Sequence, residues 1–202
     1  MAIRATELEK ITGFKFDKGW KPNIDLEHNV SPDPRRQVDG RYEPETGKIL
    51  FPIYITYGLN VRHKNPGAVR LMDPKVIADD ISFGKLADHE LGHVLGDQVS
   101  RRAGLGIWFT SNYVDTLSAK QQLGLKLVSE GVAEYFEHFR ELKNESSSNS
   151  LTGSLWLVSD ILTKFGERGL VWLIANPFVP TDNIEHEAAA YRAKALTELS
   201  RQ

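Results

Sequence analysis

The run His89-Glu90-Leu91-Gly92-His93 puts two imidazoles four residues apart, with a carboxylate directly after the first. On a helix, residues four apart stack on one face. Two imidazoles so placed can converge on one tetrahedral metal ion. Glu90 then lies about 100° round the helix axis from His89 and about 60° from His93. It borders the ion without ligating it. A carboxylate there can take a proton from water held at the metal and pass it to a leaving amine. The spacing therefore predicts zinc-assisted hydrolysis, with His89 and His93 as ligands and Glu90 as the base. The chain has no cysteine, so a further ligand must be one of its other histidines or a carboxylate.

A helix must carry this run, and the flanking sequence supports one from about Asp79 to about residue 100. Phe83, Ala87, Leu91, Val94 and Leu95 fall on one side of a 3.6-residue wheel. Asp79, Asp80 or Ser82 can cap its start. Burying the apolar stripe turns both histidines toward whatever faces the helix. Gly92 and Gly96 flank the histidine face, each costing about 1 kcal/mol of helix stability relative to alanine, which suggests room for a close neighbour.

The periodicity continues in a long helix over Thr116–Lys143. A polar loop (Asn144–Ser150), a helix over Leu151–Lys164, a short apolar segment over Leu170–Ala175 and a last helix over Asn183–Leu199 follow. Upstream, residues 1–20 begin with a short helix, and the Pro- and Gly-punctuated residues 21–47 read as irregular chain. Lys48–Tyr57 is the best strand, with Pro52 favouring an edge position or a bulge. A weaker strand lies around Ala68–Leu71. Strands first and helices afterwards give an α+β fold. Residues 1–202 suit one domain, with a small sheet and the histidine helix in an N-terminal lobe (1–100), a helical C-terminal lobe (101–202) and zinc in the cleft between.

Catalytic zinc usually takes three protein ligands and keeps one open position. A third histidine in an H-E-x-x-H-x-x-G-x-x-H pattern is excluded, because Gly96 fits the glycine but Val99 occupies the last place. Downstream, Ser129-Glu130-Gly131-Val132-Ala133-Glu134-Tyr135 lies in the long helix. Here the sequence resembles the gluzincins, the class that includes thermolysin and the zinc aminopeptidases. In that class a second helix packs behind the H-E-x-x-H helix and supplies a glutamate, which the aminopeptidase branch writes as E-G-x-A followed by an aromatic. Glu130, Gly131, Ala133 and Tyr135 match it. The resemblance implies Glu130 as third zinc ligand and Glu134, one turn on, as the acid that orients a zinc histidine. It also implies a later Tyr or His that steadies the oxyanion, for which Tyr191, or His186 about one turn before it, has the chemistry.

The resemblance covers about Asp79–Arg140. It departs from the class in spacing, since thirty-six residues separate His93 from Glu130, roughly twice the familiar interval. The extra length falls in Ser100–Asp115, a Gly- and aromatic-rich stretch suited to a lid or substrate wall. Glu134 and Glu137 share a face with Glu130, so the choice of ligand rests on the E-G-x-A match.

A formal charge of −2 argues against nucleic acid as a partner. No apolar stretch reaches the roughly 20 residues a membrane helix needs. Met1–Lys10 lacks the pattern of a signal peptide, which favours a cytoplasmic setting and leaves a removed leader open. The expected partner is a peptide or protein substrate, for which Ile53–Tyr57 offers a strand to pair with. The alternative is a zinc-binding regulatory or peptide-binding module without peptidase activity, against which an intact Glu90 argues. His28 and His63 read as solvent-facing, His138 as a surface residue or one that backs the ligands, and Trp156 and Trp172 as core.

Overall fold

The computed structural model describes residues 1–27, 40–52, 81–106, 115–142, 154–181 and 183–201. The weaker strand around Ala68–Leu71, the pairing strand at Ile53–Tyr57, the caps Asp79 and Asp80, and His28 and His63 lie outside these residues.

Among the described residues the chain forms five helices and a three-stranded sheet, an α+β fold with helix predominant. Helix α1 spans Ala2–Thr12. Strands β1 (Asn23–Glu27), β2 (Arg41–Glu43) and β3 (Lys48–Pro52) follow. They lie in the order β1-β3-β2, with β1 parallel and β2 antiparallel to β3. Residues 21–47 therefore hold two strands where the punctuation reads as irregular chain. The turn joining β2 to β3 closes through Gly47, whose φ of 67° suits glycine and whose N–H donates to Glu43 O at 2.8 Å. Strand β3 is the central strand, not an edge. Ile49 and Phe51 are almost fully buried, and Pro52 falls at the last paired position, opposite Glu27, where its missing N–H disturbs the ladder least.

Helix α2 (Ile81–Arg102) is the hub of the fold. Helix α1 and strand β2 pack on it, and α3 (Ala119–Leu142) packs along it. The next helix, α4 (Ser154–Ala175), packs on α3, and α5 (Ile184–Ser200) packs on α4. None of the described helices is long and apolar enough to cross a membrane.

Local chemistry sets the helix ends. Ser118 and Gln121 form a reciprocal cap at the start of α3: the Gln121 side-chain oxygen accepts from Ser118 N at 2.9 Å, and Ser118 Oγ accepts from Gln121 N at 3.4 Å. This places the start at Ala119. Asn183 caps α5 by accepting from His186 N at 3.2 Å. Helix α4 joins the two segments that the sequence separates, and marks the join with non-helical geometry at Gly166 (φ 56°, ψ −132°).

The expected apolar stripe of α2 is buried, with Ala87, Leu91, Val94 and Leu95 at most 1% exposed. The burial goes further round the helix than one stripe. From Ala87 to Ser100 every residue is buried except His89 and His93. Three of the polar groups on this buried surface, Asp88, Asp97 and Gln98, have partners outside the stripe. Asp88 accepts from Arg4 of α1 through both carboxylate oxygens, at 2.8 and 2.5 Å. Asp97 accepts from the Tyr42 hydroxyl of β2 at 2.8 Å and from Arg101. Gln98 accepts from Asp17 N at 2.7 Å.

Gly92 explains how closely α2 and α3 approach. A β-carbon there would lie 2.8 Å from Ala133 Cα and 3.0 Å from Phe136 Cδ2. In an isolated helix Gly92→Ala would gain about 1 kcal/mol. Here the overpacking cost, typically about 1–3 kcal/mol, should outweigh that gain. Urea unfolding of the metal-free protein should show Gly92→Ala less stable than wild type. Equal or greater stability would contradict the close crossing.

Candidate metal centre

The α2–α3 crossing brings His89 and His93 of α2 against Glu130 of α3. One ligand-type atom from each lies within 4.8 Å of the others, so the three form a group that could hold a metal ion. The imidazole rings are 5.0 Å apart, centroid to centroid. His89 Nε2 is 3.5 Å from a Glu130 carboxylate oxygen. Each histidine is engaged at its other nitrogen by α3. His89 Nδ1 is 3.1 Å from Glu137 Oε2, and His93 Nδ1 is 3.1 Å from Ser129 Oγ. Nε2 is thus the nitrogen each ring has left to offer. Two imidazole nitrogens and one carboxylate are a donor set suited to zinc with a coordination position left open.

Charge in the cluster favours a cation. Burial draws the His89 imidazolium down. Hydrogen bonds to Glu130 and Glu137, with the nearby charges of Glu90 and Glu130, outweigh burial and raise it to about 10. For His93, burial and then the charge of His89 push the ring down to about 4, against the pull of Glu130. The hydrogen bond from His89 holds Glu130 below the usual carboxylate range despite its partial burial, and does the same for Glu137. Glu130 is the carboxylate at Nε2 of His89, and a cation bound at that nitrogen would take the place of its proton.

Glu90 sits off the cluster, as its place on the helix requires. It is 2% exposed, and a β-carbon at Gly40 would lie 3.3 Å from its Cγ and Oε1. The start of β2 therefore adjoins the carboxylate predicted to be the base, and only a residue without a side chain fits there at ease.

The structure brings three of the six sequence-predicted site residues together, leaves Glu90 just off the cluster and places two elsewhere. His89, His93 and Glu130 meet, and Glu90 lies next to His89 in the chain. Glu134 faces α4 instead. Its Oε2 accepts from Ser154 Oγ and from Leu155 N, each at 2.8 Å, satisfying donors in the first turn of α4. Tyr191 is not brought to the cluster. Its hydroxyl donates to Asn176 O at 2.7 Å, and its ring packs beside Trp172 and Phe178, with centroids 5.1 and 5.2 Å away. Burial pushes its hydroxyl up, and the placement is that of a packing residue at the end of α4. His186 is exposed on the first turn of α5.

Sequence reasoning does not single out Ser129 and weighs Glu137 only as an alternative ligand to Glu130; the structure sets Ser129 against His93 and Glu137 against His89. Comparison with protein-family models, curated proteins and solved structures gives no significant match, so the cluster's own chemistry is what bears on its role.

If Glu134 serves α4 and not the metal, Glu134→Ala should lower stability by about 0.5–2 kcal/mol, the usual scale of a lost helix cap. It should leave zinc affinity as in wild type. Zinc binding weakened as much as by Glu130→Ala would place Glu134 in the centre after all.

Proposed function

We propose that the protein is a zinc-dependent peptidase of gluzincin type, with His89, His93 and Glu130 as metal ligands and Glu90 as general base. The observation that carries the proposal is the convergence of one ligand atom each from His89, His93 and Glu130 within 4.8 Å, beside a buried carboxylate one residue from the first histidine. The arrangement of a sheet-bearing N-terminal lobe, a helical C-terminal lobe and a zinc cleft between them belongs to the same proposal. So does a peptide or protein as substrate.

Zinc bound here would supply Lewis acidity, polarising a peptide carbonyl and lowering the pKa of water. The chain supplies the rest. His89 and His93 would hold the ion through Nε2, since α3 engages each Nδ1. Glu130 adds an anionic ligand from the facing helix. Glu90 accepts the proton of the attacking water and returns it to the leaving amine. Its burial beside Gly40 restricts the directions in which its carboxylate can move.

A metal-binding module that does not cleave peptides would need the same ligands without the base, and the two functions part at Glu90. Protein purified without chelator or added metal should contain close to one zinc per chain. Glu90→Gln should keep that zinc and lose hydrolysis of a mixed peptide library by about 10²–10⁴-fold or more. Chelation should abolish wild-type cleavage and zinc should restore it. Folded protein unable to take up zinc on titration would remove the metal centre. Equal, equally chelator-sensitive cleavage by Glu90→Gln would remove Glu90 as base.

A further inference from the structure

We propose that Glu137, two turns beyond the glutamate ligand, is the positioning residue that orients His89 for the metal. The inference rests on the metal reading above and concerns which acid serves it. The gluzincin resemblance assigns that part to the acid one turn after the ligand, which here is Glu134. That carboxylate is held by Ser154 and Leu155 at the start of α4. Glu137 is the acid that reaches the ring, with Oε2 3.1 Å from His89 Nδ1.

Helix geometry explains the exchange. At 100° per residue, Glu137 lies about 20° from Glu130 on one side and Glu134 about 40° on the other. Ser129 and Ala133 fall on the Glu137 side. Ser129 contacts His93 and Ala133 contacts Gly92, so this is the side that meets α2. Gly131 falls on the Glu134 side, and a β-carbon there would lie 2.4 Å from Ser154 O, which marks the side that meets α4. The packing of α3 between two helices therefore turns Glu134 away from the histidines and Glu137 toward them.

Glu130 and Glu137 between them engage both nitrogens of the ring. Glu130 lies at Nε2 and Glu137 at Nδ1 of the same imidazole. The other Glu137 oxygen is 3.6 Å from His138 Nε2. An Nδ1–H donated to a carboxylate leaves Nε2 as the bare, more electron-rich nitrogen, the form a metal requires. Ser129 does the corresponding work for His93 with a neutral group.

The test is zinc affinity of the folded full-length chain, measured by competition with a chromophoric chelator, beside the urea midpoint of the metal-free form. Glu137→Gln keeps the size of the side chain and removes its charge. It should weaken zinc by about 10–100-fold, the range of lost orienting partners, and Glu137→Ala by at least as much. Glu134→Gln should leave zinc binding unchanged. In the zinc-loaded wild type the His89 Nδ1 proton should give a slowly exchanging low-field NMR resonance, absent in Glu137→Ala. Wild-type zinc affinity in Glu137→Gln, or persistence of that resonance in Glu137→Ala, would overturn the assignment while leaving the metal centre standing. A wild type that takes up no zinc would remove the centre itself.

Discussion

The approach of α2 to α3 at Gly92 and Ala133 is the constraint on which the candidate site depends. Neither histidine can meet Glu130 unless the two helix backbones come close enough for short side chains to span the gap. A glycine facing an alanine allows that approach, and the 2.8 Å that a β-carbon would leave shows how little slack remains. Interiors packed at such density transmit strain, so an addition at this crossing is felt at the ligand atoms rather than absorbed. Metal sites tolerate misplacement poorly, and a loosely supported constellation loses function before it loses fold. The intrinsic helix cost of Gly92 is small beside what the close crossing makes possible.

Helix α3 lies between α2 and α4 and divides its circumference between them. On one side Ser129, Ala133 and Glu137 address α2 and its histidines. On the other, Gly131 and Glu134 address the start of α4. Glu130 lies between and turns to the cluster. Carboxylates four and seven residues along one helix thus do unrelated work, one completing a helix cap and one holding an imidazole. The difference arises from the neighbouring helices, not from the amino acid.

This division marks where the sequence is legible. Spacing alone puts His89, Glu90 and His93 on one helix, because a four-residue interval has one structural meaning there. Glu130 is also legible, since its E-G-x-A setting singles it out among three acids on a shared face. Glu137 is not, because periodicity places Glu134 and Glu137 on either side of Glu130 and cannot say which side meets α2. Strands β1 and β2 escape for another reason. They are five and three residues long, too short for alternation to register, and β1 gains its ladder from a parallel partner distant in sequence. The start of α3 shows the reverse. The Ser118 to Gln121 cap is a local signal fully present in the sequence, and it overrides a periodicity that runs on to Thr116. Tyr191 has chemistry that suits an oxyanion partner, while its surroundings, Trp172, Phe178 and the carbonyl of Asn176, hold it partly buried against the core at the end of α4.

The same logic accounts for the polar groups buried along α2. Over Ala87–Ser100, where every residue but the two histidines is buried, α2 has little solvated face to fix its rotation, and apolar packing alone specifies rotation weakly. Asp88, Asp97 and Gln98 specify it, since each has a partner in a different N-terminal segment: Arg4 in α1, Tyr42 in β2 and the Asp17 amide beyond α1. Leaving any of these buried groups without its partner would cost about 1–3 kcal/mol, or more where a charge is stranded. Rotating α2 would break all three contacts together. Glu90 and Asp97 differ by seven residues and so share a side of the helix to within about 20°. The strand that bonds Asp97 through Tyr42 is therefore the one that brings Gly40 to Glu90. The N-terminal helix and sheet act in this way on the site without supplying a ligand: they hold the rotation of α2, and that rotation aims both imidazoles at α3 while Glu90 lies to the side.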